Sequence, residues 1–236
     1  MSINKCKIGG IVAEVPKRMN SLFYGDVLEI RLDINRKDID KIEHVTCLIV
    51  DKELIERAMN TIGVGDYLFC FGHFVSLEYK RKQLVKCPHC GKEGYRMRKA
   101  QNTDIILRDF EVTKGIDLSD SDGVNRVVLT GVVNNRPIQA QQHLMEIVTE
   151  ELLAGSERFN LVNVNTFNGL ATHVSKTVKQ SNRVIVKGSI YDRMIKYTIP
   201  CKCKYCEEMS EYDVVYPQYE VTATSVRQDV DYISKS

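Results

Sequence analysis

Short runs of β-branched and aromatic residues, broken by polar turns, recur along the chain and predict strands. In the first half they fall near residues 5–15, 26–35, 44–51, 66–78 and 104–113. In the second they fall near 125–135, 141–149, 158–167, 182–191 and 215–227. Between the third and fourth strands, Asp51 to Met59 predicts a short helix, with Asp51 as N-cap and Leu54, Ile55, Ala58 and Met59 apolar on one side. Residues 168–179 fill the same slot in the second half.

The two halves are also related residue by residue. Ile8 to Pro16 aligns with Leu129 to Pro137, so that Gly10 meets Gly131 and Pro16 meets Pro137. The segment from Gly65 to Gly72 aligns with that from Ser181 to Gly188. Cys87-Pro88-His89-Cys90 then aligns with Cys203-Lys204-Tyr205-Cys206, and each first cysteine lies 15 residues after its glycine. Phe110-Glu111-Val112 matches Tyr219-Glu220-Val221 in the closing strand. Four landmarks in one order imply a duplication, with domains at 1–114 and 125–236. The segment between them, Lys114 to Asn125, is rich in Asp, Ser and Gly, as a linker should be.

Five strands with a helix between the third and fourth is the order of an OB-fold, a small Greek-key barrel. The expected fold class is therefore all-β with short helices: two tandem OB barrels, each with a Cys-x-x-Cys insert between strands four and five. Gly10, Gly72, Gly131 and Gly188 suit places where a strand bends sharply around a barrel. A generic pair of β-sandwiches is the alternative.

The paired cysteines add candidate chemistry. Zinc prefers tetrahedral thiolate and imidazole ligands, and a Cys-x-x-Cys turn offers two at a workable separation. In the first pair, Gly91 follows Cys90 and permits a tight knuckle. Two half-sites could make one structural Zn2+ site from Cys87, Cys90, Cys203 and Cys206, with His89 or Cys201 in reserve. Two local disulfides, free thiols and a site shared between two copies of the chain remain alternatives. Cys6, Cys47 and Cys70 lie singly in apolar runs and read as small buried hydrophobes.

Composition narrows the class. At 236 residues, 43% hydrophobic and 27% charged, the chain has the balance of a soluble globular protein. It holds no apolar stretch of about 18 residues, so no membrane span is expected, and no signal-peptide core opens it. The expected location is the cytoplasm. A net charge of +2 permits nucleic-acid binding without demanding it.

Arg126 to Pro137 resembles the opening strand of bacterial-type single-stranded DNA-binding proteins. Arg183 to Tyr191 is similar to the strand that precedes their long binding hairpin, and Tyr219 to Val226 to their closing strand. The likeness spans about two thirds of the second half and reaches the first only through the repeat. It implies a single-stranded DNA-binding module without a catalytic site, serving replication or recombination. Three features depart from that family: two such domains in one chain, the Cys-x-x-Cys pairs, and a C-terminus lacking the acidic tail that recruits partner proteins. Such a variant resembles those carried by phages or mobile elements, and the resemblance implies the cytoplasm of a bacterial host or its nucleoid.

Binding a single strand needs cations for phosphates and aromatic faces for bases. The first half offers Lys17, Arg18, Phe23 and Tyr24 on its first hairpin, then Phe74, Tyr79, Lys80, Arg81 and Lys82, and after the thiols Tyr95, Arg96 and Arg98. The second half offers Arg136, Tyr191, Arg193, Lys196 and Tyr197. Interleaved cations and aromatics at one topological place in both halves favour sequence-tolerant, salt-dependent binding of single-stranded DNA. RNA is the alternative partner, and an OB-fold scaffold for nucleic acid or peptide the alternative role. A homo-oligomer stays open. No H-E-x-x-H, P-loop or nucleophile motif occurs, so no enzyme is expected.

Overall fold

The computed structural model describes residues 3–229 apart from 38, 122, 135–137, 140, 141, 154 and 155. The first half holds β1 (Asn4–Val12), β2 (Lys17–Ser21), β3 (Gly25–Arg36), β4 (Lys41–Ile49), α1 (Lys52–Thr61), β5 (Tyr67–Lys86) and β6 (Glu93–Thr113). The second holds β7 (Val124–Val133), β8 (Ile138–Gln139), β9 (Gln142–Leu153), β10 (Ser156–Phe167), α2 (Asn168–Thr177), β11 (Arg183–Lys202) and β12 (Met209–Gln228).

Each half closes on itself in the same way. β1 pairs antiparallel with both β3 and β5, β3 with β4, and β5 with β6; β4 meets β6 in parallel at Leu48 and Ile106. In the second half β7 pairs with β9 and β11, β9 with β10, β11 with β12, and β10 meets β12 in parallel at Val164 and Val221. These are two OB barrels in tandem. Period-two patterning drives their closure: Ile8, Leu28, Ile30, Leu32, Leu68 and Cys70 point inward and are fully buried. Val127, Leu129, Ile147, Val162, Val184 and Val186 do the same in the second barrel.

Both helices fill the predicted slot. The Asp51 carboxylate accepts the Leu54 amide at 2.9 Å, and Leu54, Ile55 and Ala58 are buried. Met59 is 46% exposed, so the apolar face of α1 is narrower than its sequence implied. Cys6, Cys47 and Cys70 are buried as expected, and desolvation pushes the Cys6 thiol up to about 12.

The strand register shifts at Phe71/Gly72 and again at Lys187/Gly188. Arg108 and Thr224 are the extra residues of these two bulges, which turn the strands around their barrels. Glycine is needed there: a Cβ on Gly72 would sit 2.6 Å from the Ile106 carbonyl oxygen, and one on Gly188 would strike that of Thr222.

The barrels join through β1 and β7, antiparallel from Asn4↔Leu129 to Gly9↔Val124. Gly10 and Gly131 differ by 121, and so do the paired residues Cys6 and Val127. This one equivalent pair lies near the middle of the ladder, so the junction has pseudo-two-fold symmetry about it. An asparagine on each side repeats this relation. The Asn4 amide donates to the Phe74 carbonyl at 2.8 Å while its oxygen accepts the Phe74 amide at 3.0 Å. Asn125 does the same to Ile190 at 2.8 and 2.7 Å.

The sequence placed the end of the fourth strand near 78 and the start of the fifth near 104. The structure instead continues β5 to Lys86 and starts β6 at Glu93, as one long hairpin leaving the barrel. β11 and β12 extend likewise to Lys202 and from Met209. These outer segments have no barrel beneath them to impose an apolar face, so their pattern did not read as strand.

Candidate functional site

The two long hairpins end in the Cys-x-x-Cys turns. At the first tip the Cys87 amide donates to the Lys92 carbonyl at 3.0 Å and Gly91 donates back to the Cys87 carbonyl at 2.9 Å. Gly91 has φ +68°, which glycine adopts without strain. At the second tip the Cys203 amide donates to the Glu208 carbonyl at 2.9 Å, and Glu207 takes the place of Gly91 with φ +60°.

The tips meet. The sulfurs of Cys87, Cys90, Cys203 and Cys206 all lie within 4.8 Å of one another. Two of these contacts cross between the halves: Cys87 to Cys206 at 3.6 Å and Cys90 to Cys203 at 3.7 Å. Four sulfurs at about 2.3 Å from one tetrahedral ion would stand about 3.8 Å apart. The donor set and its spacing therefore fit one metal ion shared by the two halves. All eight cysteines are free, and neither His89 nor Cys201 belongs to the cluster.

Local amides polarise these thiols unequally. The N–H groups of Cys206 and Tyr205 lower Cys203 to about 6, and those of Cys90 and His89 lower Cys87. At Cys206 the Glu208 amide pulls down, but desolvation and the neighbouring sulfurs outweigh it and push that thiol up to about 12. Two further contacts cross between the hairpins. Arg96 donates from Nε to the Cys201 sulfur at 2.9 Å and from its other end to the Lys202 carbonyl. Lys92 Nζ lies 4.8 Å from the centre of the Tyr205 ring.

Arg96 is thus a strut between the hairpins, where its sequence context suggested an open cation. The other sequence candidates divide. Phe23, Tyr24 and Tyr79 come together edge to face, with Phe23 at 6.4 Å from Tyr24 and 5.0 Å from Tyr79. Lys17, Lys80 and Lys82 are exposed near them in sequence, and Tyr95 is 66% exposed farther along the hairpin. Phe74 corrects the expectation: it is 0% exposed, packed into the first barrel, and offers no face to a base. Arg18 is held by Asp26 at 2.7 Å and Glu56 at 2.9 Å, and Lys196 by Asp213 at 2.8 Å. Arg136 lies outside the described residues, and so do the side chains of Arg81, Arg98 and Tyr197.

Tyr191 and Arg193 line a groove of ≈ 650 Å³ between the barrels, with Arg36, Lys41 and Phe167. Tyr191 is 41% and Phe167 42% exposed, and Lys41 lies 4.9 Å from the centre of the Tyr191 ring. The floor carries Glu220, which is buried and bonded by Asn165 and, at 3.5 Å, by Arg193. Arg36, Lys41 and Phe167 escaped the sequence reading because only the meeting of the two halves brings them together.

The architecture is that of a tandem OB protein with two long hairpins and a shared thiol cluster. No protein family and no curated protein matches the sequence. Among solved structures, the chain is similar to a deletion variant of the single-stranded DNA binding protein from Thermus aquaticus. They share 12% identity at a TM-score of 0.59, over 96% of this chain and 94% of that one. The wild-type form of that protein gives 13% identity and a TM-score of 0.56, over 96% and 93%. The resemblance seen in the strand motifs thus extends to the fold of the whole chain.

Proposed function

We propose that this chain binds single-stranded DNA without reading its sequence and shields it during replication or recombination. The observation that carries the reading is the fold shared, over nearly the full length of both chains, with the Thermus aquaticus protein named for that activity. The exposed cations and aromatic faces on the hairpins support it, since backbone charge and stacking suffice for sequence-tolerant binding. The working units are the two barrels, 1–114 and 125–236, in a non-enzymatic protein of the cytoplasm or nucleoid. The four thiols hold Zn2+ as a closed structural site, which ties the hairpins so that both present one continuous surface.

The test is a titration of labelled poly-dT, the matching RNA and duplex DNA at low and moderate salt. Tight, salt-sensitive binding of poly-dT over duplex is expected. Preference for the RNA would move the reading to RNA, and silence towards all three at low salt would end it.

A further inference from the structure

A pocket of ≈ 520 Å³ opens in the first barrel beside the Leu48/Ile106 pair, where β4 meets β6. Leu22 and Phe23, from the turn between β2 and β3, form its apolar wall. Asn102, Thr103 and Asp104 of β6 form another wall. The second half completes it: Asp192, Gln218 and Tyr219 reach in from β11 and β12. The Tyr219 hydroxyl accepts the Thr46 amide at 2.7 Å, which fixes that strand against the first barrel.

Two buried polar groups in this pocket have no partner. Gln218 is 4% exposed and Thr103 3%, and neither Gln218 Nε2 nor Thr103 Oγ1 makes a hydrogen bond. An enclosed donor left unpaired destabilises a fold, so such groups are rare without a use. The duplication accounts for how one of them came free. Leu107 and Ala223 stand opposite the bulge glycines Gly72 and Gly188, so strand register makes Asn102 and Asp104 the counterparts of Gln218 and Glu220. In the first half the Asn102 amide donates to Asp104 at 2.8 Å. In the second, Glu220 accepts from Asn165 instead, and Gln218 is left to face the other barrel.

Charge narrows the occupant. Glu29, Asp104 and Asp192 line the pocket, and no Lys or Arg does, so a phosphate is repelled. A bare cation is not matched either: among the described residues only the four cysteines converge closely enough to hold one. What fits is a neutral group that donates amino hydrogens to a carboxylate and offers acceptors to two free donors. Cytosine carries that set on its Watson–Crick edge: the N4 amino group, then N3 and O2 as acceptors. Thymine offers a carbonyl where the amino group would be and an N–H in place of N3. Adenine has the amino group with one ring acceptor beside it, and guanine turns a ring N–H toward the donors. The pocket also lies beside stacking surface, because Phe23 packs edge to face with Tyr24 and Tyr79.

We infer that this pocket receives one extruded cytosine of a bound single strand, with its N4 amino group on a carboxylate and its N3 and O2 on Gln218 and Thr103. The inference rests on the single-strand reading above and adds one selective position to a strand held elsewhere by charge and stacking.

The experiment compares oligo-dT of about 12 nucleotides, within the reach of one OB-fold, with the same strand carrying one central 5-methyl-dC. Each is titrated into the full-length wild-type protein and its Thr103→Val/Gln218→Met variant. The two strands share the methylated ring and differ at one Watson–Crick edge, so stacking is held constant. Wild type should bind the 5-methyl-dC strand about tenfold more tightly, as one well-paired base edge does. In the variant the ratio should fall to about one. Equal affinities in the wild type overturn the inference, and so does a preference that survives in the variant. The variant should melt no lower than wild type, because the groups it removes have no partner to lose. A large drop in melting temperature would assign both groups to the bonding of the fold itself and overturn their assignment to a ligand. Wild type that binds both strands tightly and equally loses this inference alone, whereas wild type that binds neither at low salt loses the single-strand reading with it.

Discussion

Phe74 and Tyr79 stand five residues apart on one strand and were equal candidates for base stacking, yet the structure gives them opposite roles. Phe74 continues the inward series Leu68, Cys70 and Gly72, while Tyr79 lies beyond the barrel against Phe23. Phe74→Ala should destabilise the protein by about 3–5 kcal/mol through the cavity it leaves. Tyr79→Ala should leave thermal stability nearly unchanged and weaken poly-dT binding by about 1–3 kcal/mol. Paired melting and binding curves check both; a binding loss confined to Phe74→Ala would reverse the assignment. The inward period was legible in the sequence, and following it past Gly72 would have excluded Phe74. What could not be read is partnership. Asp104 is enclosed where Tyr24 donates its hydroxyl at 2.9 Å and Asn102 its amide at 2.8 Å. Burial raises its carboxyl above the ordinary carboxylate value, with those donors opposing. A raised acid favours the protonated folded state, so its contribution is full below the unfolded value of about 3.9 and is lost as pH rises through the folded one. Wild type should therefore lose stability relative to Asp104→Asn as the pH rises over the range above about 4. A melting difference that stays flat across that range would contradict this.

At the scale of elements, the barrels were legible and the hairpins were not. A closed barrel has an inside, so its strands alternate and its helices show one apolar side. The outer parts of β5, β6, β11 and β12 have no core to face, and their sequence carries no comparable period. The cysteines supplied what the pattern lacked: their equal offset from Gly72 and Gly188 put both pairs at the same distance along equivalent strands. That equality becomes a meeting because the β1–β7 junction is pseudo-symmetric, which sends both hairpins to one place. A metal held there constrains the two tips and leaves the barrel cores untouched. Chelation, or Cys87→Ser with Cys203→Ser, should therefore remove the bound metal and speed amide exchange along residues 79–99 and 194–212. Exchange at Leu68, Cys70, Val184 and Val186 should stay slow. Loss of protection in both barrels together would show that the metal stabilises the whole fold, as it does in small domains that lack a core.

The whole molecule is built as a dimer is built, with one chain in place of two. Cys6 faces Val127 where a true two-fold axis would place identical residues, and an asparagine clamps each neighbouring strand in the same way. A chain cut after residue 114 would keep a complete barrel and lose the strand that covers residues 4–9 of β1. An uncovered edge is a template for pairing, and this edge already pairs with a near copy of itself. Fragment 1–114 should therefore form a symmetric dimer through β1, with Cys6 opposite Cys6 of the second copy. That arrangement would bring two Cys87/Cys90 knuckles together, so the fragment should bind one zinc per two chains. Sedimentation with metal analysis reads both numbers. Changing Lys5 and Lys7 to proline, which removes two donors from the edge, should return the fragment to a monomer with little zinc. A wild-type fragment that is monomeric at micromolar concentration would mean that the linker, and not the strand pairing, holds the two halves together.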